Sequence, residues 1–511
     1  MKEKQTEVLL VIPGNMSQVY QSLAQSAAIE PPVFGMLTAS YLKNKGVSVT
    51  VLDAPAMGMT YEQVAKEVDN INPHLVVMVV YGYQPSASTQ NMPAARETCK
   101  AIREARPDLK ILIMGTHPSA LPERTLEEEP VDFVCDGEGP VTIHGVLEAI
   151  KAGETDFSKV RGLLFRKDGR VIRTLPASLI EDLDAEIPPM PWDILPMSRY
   201  RSHDWHANYG PMSARMPYAS IITTLGCPFR CEFCCIQAPF RSGEGASGYP
   251  SGVNSYRFRS PNVIIKEIED LVANYGVKNI KFHDELFVLN PEHVFGVTKL
   301  IKERFGDSLN IWAYTRVDTA QEEFLNDIRG AGIKWLAVGI ESASEHVRDG
   351  AKKSFSDEDI VNVCDRIHKA DINIASNYIF GLPDDDEASM QATYNLSLRL
   401  NTLFSNFYCA MAYPGSKLYK TAREKKWPLP DDPGGPGWIG YSQHAYEALP
   451  LPTEKLSSAE VLAFRDKAWR NYNSRPEFLK LLGERFGPKA VKTIEGLLAM
   501  PPLRRKILEK K

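Results

Sequence analysis

Polar and apolar positions in the first third of the chain come in blocks. Short apolar runs at Val8–Ile12, Val47–Leu52, Leu75–Tyr81, Ile111–Met114 and Val131–Cys135 alternate with amphipathic stretches at Gly35–Lys45, Tyr61–Asn70, Gln90–Ala105 and Gly139–Ala152. Uniformly apolar runs suit strands buried on both faces, and the helical stretches between them return the chain for parallel pairing. The pattern predicts an α/β, doubly wound, Rossmann-like domain over residues 1–153. Ligands of such sheets bind at the carboxyl ends of the strands.

A second series begins near Tyr218. Strands are expected at Ser220–Leu225, Ile280–His283, Ile311–Tyr314, Leu336–Ile340, Ile374–Phe380 and Phe404–Met411. Helical segments follow them at Asn262–Tyr275, Pro291–Arg304, Ala320–Gly330, Asp357–Ala370, Asp386–Leu400 and Ser416–Lys425. Six strand–helix repeats predict a partial (β/α)6, TIM-like barrel over residues 218–430, with its chemistry at the strand C-termini. Residues 154–217 read as a connector holding a hairpin at Gly162–Thr174, with Asp168-Gly169 at its turn. Residues 431–511 read as a small, mostly helical region.

Composition narrows the class without naming it. A hydrophobic share of 43% and a charged share of 24% over 511 residues are those of a soluble globular chain of several domains. The formal charge of −5 offers no basic field for nucleic acid, and no apolar run approaches the ~20 residues of a membrane span. No export signal is visible, so a reducing cytoplasm is the expected compartment.

The chemistry concentrates in Cys227-Pro228-Phe229-Arg230-Cys231-Glu232-Phe233-Cys234. Soft thiolates at this spacing suit an iron–sulfur cluster or zinc. Structural zinc wants four ligands, commonly two paired C-x2-C units, and none of the other cysteines (99, 135, 235, 364, 409) supplies a second pair. Three thiolates on a [4Fe–4S] cluster leave one iron open.

The C-x3-C-x2-C segment closely resembles that of the radical S-adenosylmethionine (SAM) enzymes. The resemblance covers roughly residues 214 to 425. It implies that Cys227, Cys231 and Cys234 hold the cluster. SAM is then expected on Phe233 and on later strand ends: Asp284 and Glu285, Arg316, Glu341 and Ser342, Phe380 and Gly381. The segments Leu112–Pro118, Leu121-Pro122-Glu123 and Asp132–Gly139 resemble the cobalamin-binding domain that precedes this barrel in one subclass. That likeness implies a corrinoid against Asn15, Asp53, Tyr81, Tyr83, Gln84, Gly115, Thr116, His117, Gly137, Glu138 and Gly139. Tyr83 and Gln84 would face the cobalt, and His117 would be a loop residue rather than its ligand. No Asp-x-His-x-x-Gly motif is present.

The resemblance implies a cobalamin-dependent radical SAM methyltransferase. A 5′-deoxyadenosyl radical would take hydrogen from an unactivated carbon of a small-molecule substrate, and methylcobalamin would supply the methyl group. An electron donor such as flavodoxin or ferredoxin would be a partner. The alternatives are a cyclase or ring-contracting enzyme of the same subclass and a non-catalytic iron–sulfur protein. Arg241, Arg257, Arg259 and His444 are further candidates for meeting an anionic substrate.

Overall fold

The computed structural model describes residues 5–84, 86–351 and 356–509. Residues 1–4, on which the export reading partly rests, lie outside that range. Seven strands form the first sheet: β1 (Val8–Ile12), β2 (Val49–Asp53), β3 (Leu75–Val80), β4 (Lys110–Gly115), β5 (Phe133–Cys135), β6 (Leu163–Lys167) and β7 (Arg170–Arg173). Their order is β2-β1-β3-β4-β5-β6-β7. Strands β1 to β5 are parallel, and all six residues of β3 are buried, as an apolar run flanked by helices requires.

The expected hairpin is present, but it does not belong to a free connector. Strand β6 pairs antiparallel with β5, so the first sheet runs on to Arg173 rather than ending near residue 153. Asp168 and Gly169 both take positive φ, 49° and 73°, which matches the twist of a two-residue hairpin turn.

The expected first strand of the second series is divided. Its opening residues form β8 (Tyr218–Ile221), which joins the second sheet. Its closing residues form β9 (Thr224–Gly226), which pairs antiparallel with β10 (Tyr256–Phe258). The second sheet continues through β11 (Asn279–Phe282), β12 (Asn310–Arg316), β13 (Ile333–Glu341), β14 (Asn373–Phe380) and β15 (Phe404–Cys409). Its order is β15-β14-β13-β12-β11-β8, all parallel, an open series whose end strands are not paired with each other among the described residues.

Local sequence sets the helix ends that fix the strand spacing. Ser260 caps the helix Pro261–Tyr275, which Gly276 ends in the left-handed conformation. Asn290 caps Pro291–Phe305, and Ser457 forms a capping box with Glu460 at Ser458–Asn473. Helices Ser458–Asn473, Pro476–Phe486 and Pro488–Ala499 make the C-terminal region. The first of these packs along β15. Among the described residues no helix is long and apolar enough to cross a membrane.

Candidate functional site

The carboxyl ends of both sheets meet. Lys281 of β11 donates to Glu30 Oε2 and to the carbonyl of Tyr83, which follows β3, at 2.9 Å each. Ser220 of β8 donates to the same Glu30 oxygen at 3.0 Å. Glu138, after β5, receives Arg257 of β10 at 2.9 Å and the Ile180 amide at 3.0 Å. Ser242 donates to the Asp136 carbonyl at 3.0 Å. A Cβ on Gly415 would stand 3.1 Å from Ala120 Cβ and 3.7 Å from Cys235 Cβ, so the strand ends of one domain reach the cysteine loop of the other.

That loop follows β9. Cys227, Cys231 and Cys234 are half-buried, whereas Cys235 is buried. The backbone is pinned from several sides. The Cys227 amide donates to Gln237 Oε1 at 3.3 Å, Asn254 donates to the carbonyls of Cys227 and Phe229 at 3.0 and 2.9 Å, and the Cys234 amide closes a turn on the Cys231 carbonyl at 3.0 Å. Burial pushes the Cys227 thiol up to about 12 and the Cys234 thiol well above its ordinary value, so these thiols are protonated in the metal-free chain. Among the described residues no three His, Cys, Asp or Glu side chains gather as a single-ion site. A four-iron cube is wider than one ion, and three soft donors on one pinned loop suit it.

Asp284 and Glu285, neighbours in sequence, do different work. The Asp284 carboxylate accepts from the Thr223 amide at 2.6 Å, the Thr224 amide at 3.2 Å and the Thr223 hydroxyl. It holds the bend between β8 and β9, and its carboxylate is turned to that bend rather than offered to a SAM amino group. Glu285 is outside this set. Burial, with the Asp284 charge, raises its carboxyl to about 8 against the pull of Lys281.

Arg316, at the end of β12, points to the cysteine loop. Its Nη1 lies 3.4 Å from Cys231 Sγ, its guanidinium lies 3.8 Å from the Phe229 ring centroid, and Asp318 holds it at 2.8 and 2.7 Å. Its contacts are with the cysteine loop. Glu341 ends β13 at φ +66°, where the β13–β14 register shifts. A bulge with a left-handed non-glycine residue re-aims a side chain and is a common mark of a functional position. Ser342 is fully buried and its hydroxyl meets Thr393 at 3.1 Å, inside the fold. Phe380 is core, stacked on Phe407. The Gly381 and Leu382 amides both donate to Asp385. A Cβ on Gly381 would stand 2.6 Å from Val461 Cγ1. The close approach at Gly381 is therefore to the C-terminal region. Phe233 packs half-buried against Leu382 and its neighbours.

Several residues expected against a corrinoid are engaged in the fold. Asn15 caps the turn Met16–Tyr20. Asp53 caps Ala54–Met57 and accepts from Tyr200 at 2.9 Å, tying the connector to the sheet. Tyr81 stacks on Phe34 with centroids 4.0 Å apart. The Gln84 carbonyl starts the helix Ala87–Ala105. Gly115 and Gly139 leave no room for a Cβ, against the Val80 carbonyl and the Met114 side chain, whereas a Cβ on Gly137 would meet only Ser242 Oγ, at 3.5 Å. His117 meets Thr89 at 3.3 Å and packs edge-on to Trp438, and burial lowers it to about 3, so it is a neutral packing residue. What remains open at the seam is polar: Thr116 Oγ1 and His283 Nδ1 are buried without a partner, and Tyr83 lies half-buried with its hydroxyl pushed well up by burial. Buried polar atoms left without partners fit an absent polar cofactor.

Sequence reasoning passed over Glu30, Lys281 and His283. Lys281 had a signal, being the one charged residue inside a buried parallel strand. Of the four residues proposed to meet an anion, Arg257 is bound to Glu138, Arg259 to Glu267 and Arg241 to the Gly415 carbonyl. His444 lines a cavity.

With this geometry in hand, comparison with known proteins places the chain. A B12 binding domain model matches residues 23–147 and a radical SAM superfamily model matches residues 221–397. The chain thus carries a B12-binding domain followed by a radical SAM domain, the arrangement of the cobalamin-dependent radical SAM enzymes. An uncharacterised methyltransferase of Pyrococcus horikoshii is 24% identical over 97% of this chain and 98% of its own length. The anaerobic magnesium-protoporphyrin IX monomethyl ester cyclase of Cereibacter sphaeroides is 24% identical over 79% of this chain and 62% of its own. Among solved structures, the radical SAM methyltransferase TsrM of Kitasatospora setae, with cobalamin and a [4Fe-4S] cluster bound, shares the fold at TM-score 0.63 and 19% identity, covering 82% of this chain and 75% of its own. The cobalamin-dependent radical enzyme OxsB, with aqua-cobalamin and SAM bound, does so at TM-score 0.69 and 15% identity, covering 96% and 70%.

Proposed function

We propose that the chain is a cobalamin- and SAM-dependent radical enzyme acting on a small molecule at the seam between its two sheets. The observation that carries this reading is the pinned loop of Cys227, Cys231 and Cys234, with the strand ends of the B12-binding domain reaching it. The three thiols would hold the cluster. Glu285 would meet the SAM amino group, and Glu341 its ribose. Thr116 Oγ1, His283 Nδ1 and Tyr83 would border the corrinoid. When bound, the cluster supplies the electron that splits SAM, and the corrinoid supplies a reactive cobalt beside the substrate. The chain's own part is to orient these groups and keep water from the seam, which Glu30–Lys281 and Glu138–Arg257 close from two sides.

For the outcome of the reaction, we favour cyclisation or another non-methylating rearrangement. Cyclases from three organisms support it, at 24–28% identity over 61–68% of their lengths. Methyl transfer is the second reading, favoured by the Pyrococcus relative, which matches end to end. The test is anaerobic turnover of reconstituted protein. Release of 5′-deoxyadenosine that Cys231→Ala abolishes is expected. Its absence from the wild type overturns the radical reading. S-adenosylhomocysteine should stay absent in the non-methylating case and form alongside 5′-deoxyadenosine in the methylating one.

A further inference from the structure

A partly open cavity of about 120 Å³ lies between the short turn Gln21–Gln25 of the first domain and the C-terminal helices. Leu23, Trp469, Leu497 and Leu503 form its apolar wall. Arg465, Arg470 and Arg505 also line the cavity. Arg465 and Arg505 are 7% and 3% exposed, and both bind Asp466, at 2.8 Å and at 2.9 and 3.1 Å.

The charges there do not balance. Asp466 is the only carboxylate of the described lining and binds two guanidiniums, while the partly exposed Arg470 also lines the cavity and donates Nη2 to the Leu498 carbonyl. Arg505 spends all its nitrogens, the last on the Ala445 carbonyl at 3.1 Å. Arg465 spends Nε on the Phe407 carbonyl and Nη1 on Asp466, and its Nη2 is in neither bond. Beside it, His444 keeps Nδ1 buried and unpartnered, and burial with the two arginines holds the ring neutral. Buried cations in excess of their anions are costly unless a further anion completes the set.

We propose that this cavity binds an amphipathic organic carboxylate. The acid end would lie against Arg465, Arg470 and His444, and the hydrocarbon body would run along Leu23, Trp469 and Leu497. The site stands whether or not the radical chemistry does, because it uses none of the cysteine loop. An uncharged molecule of the same shape would leave the arginines uncompensated, so the charge should decide affinity as well as the apolar wall.

The test uses the full chain without cofactors and decanoate as the probe, with 1-decanol as its uncharged match, both followed by titration calorimetry. Decanoate should bind, and decanol should bind at least about ten-fold more weakly. Leu497→Trp, which fills the apolar end without touching a charge, should weaken decanoate by about ten-fold or more. Arg470→Gln should weaken decanoate and leave decanol unchanged. If Leu497→Trp fails to fold, Leu503→Trp at the same wall gives the same reading. No decanoate binding to the wild type, binding unchanged by the filling variants, or equal affinity for decanol would each overturn the proposal.

Discussion

At the scale of single residues, the position of Arg316 changes what it is expected to do. A guanidinium held by Asp318 and stacked on Phe229 cannot swing freely to a substrate, and its Nη1 already lies 3.4 Å from Cys231 Sγ. A donor aimed at a cluster thiolate stabilises the more negative, reduced state and so raises the reduction potential. The reconstituted cluster of Arg316→Met should therefore have a lower midpoint potential than the wild type, with Arg316→Lys between the two, in an EPR-monitored titration. Equal potentials in all three proteins would return Arg316 to the role of an ordinary ion pair. Asp53 offers a second test. It is 3% exposed, and burial raises its carboxyl from 3.8 to about 6, against the Ala56 and Tyr200 hydrogen bonds that pull it down. The folded chain thus binds that proton more tightly than the unfolded one. The stability it contributes is complete below pH 3.8 and is lost as pH rises through about 6. A two-unit shift corresponds to on the order of 2–3 kcal/mol. Asp53→Asn should lack this share of the decline between pH 4 and pH 7 in urea denaturation, and an identical pH slope in both proteins would sink the assignment.

At the scale of elements, close contacts explain positions that motif reading explained by ligands. Gly381 takes φ +80°, and a Cβ there would meet Val461 of the helix Ser458–Asn473 at 2.6 Å. Gly381→Ala should destabilise the chain by about 2–4 kcal/mol, from backbone strain and displacement of that helix. Calorimetry should show it in the cofactor-free protein, where loss of an adenine contact would have no effect. The alternation of apolar runs and helices was legible because strands buried on both faces announce themselves by composition. The division of the expected strand Ser220–Leu225 was not, since apolar and β-branched residues continue across it. The bend comes from Asp284, about sixty positions on, which captures the Thr223 and Thr224 amides. Likewise nothing local marks the pairing of β6 with β5, a long-range edge contact. The cysteine loop was legible because its three cysteines lie within one short segment. The acidic residues after strands were ambiguous, because Asp53 as a helix cap and Glu138 as a clasp look in sequence like ligand contacts.

At the scale of the whole molecule, the site exists only where two sheets meet, so the seam decides whether it is formed. The Glu30 and Lys281 side chains are 2% and 3% exposed, and they join residues 251 positions apart across that seam. Lys281 also lies 5.0 Å from the Trp312 ring centroid and holds the Tyr83 carbonyl, so one ammonium links β11, β12 and the loop after β3. Desolvating both ions offsets much of their attraction, so the intact pair adds little net stability, whereas removing one partner leaves a bare buried charge. Lys281→Met should cost about 3–5 kcal/mol by stranding the Glu30 carboxylate. Combining it with Glu30→Met removes both charges and should recover most of that loss, although the Tyr83 carbonyl stays without its donor. If the pair serves to set the two domains in register, the double variant should melt near the wild type yet retain less corrinoid after reconstitution, because the Tyr83 loop is no longer held. A double variant as unstable as Lys281→Met alone would mean that the cost lies in the Ser220 and Tyr83 hydrogen bonds rather than in the unpaired charge. One that keeps its full corrinoid content would show that the register of the seam is set by Glu138 and Arg257 instead.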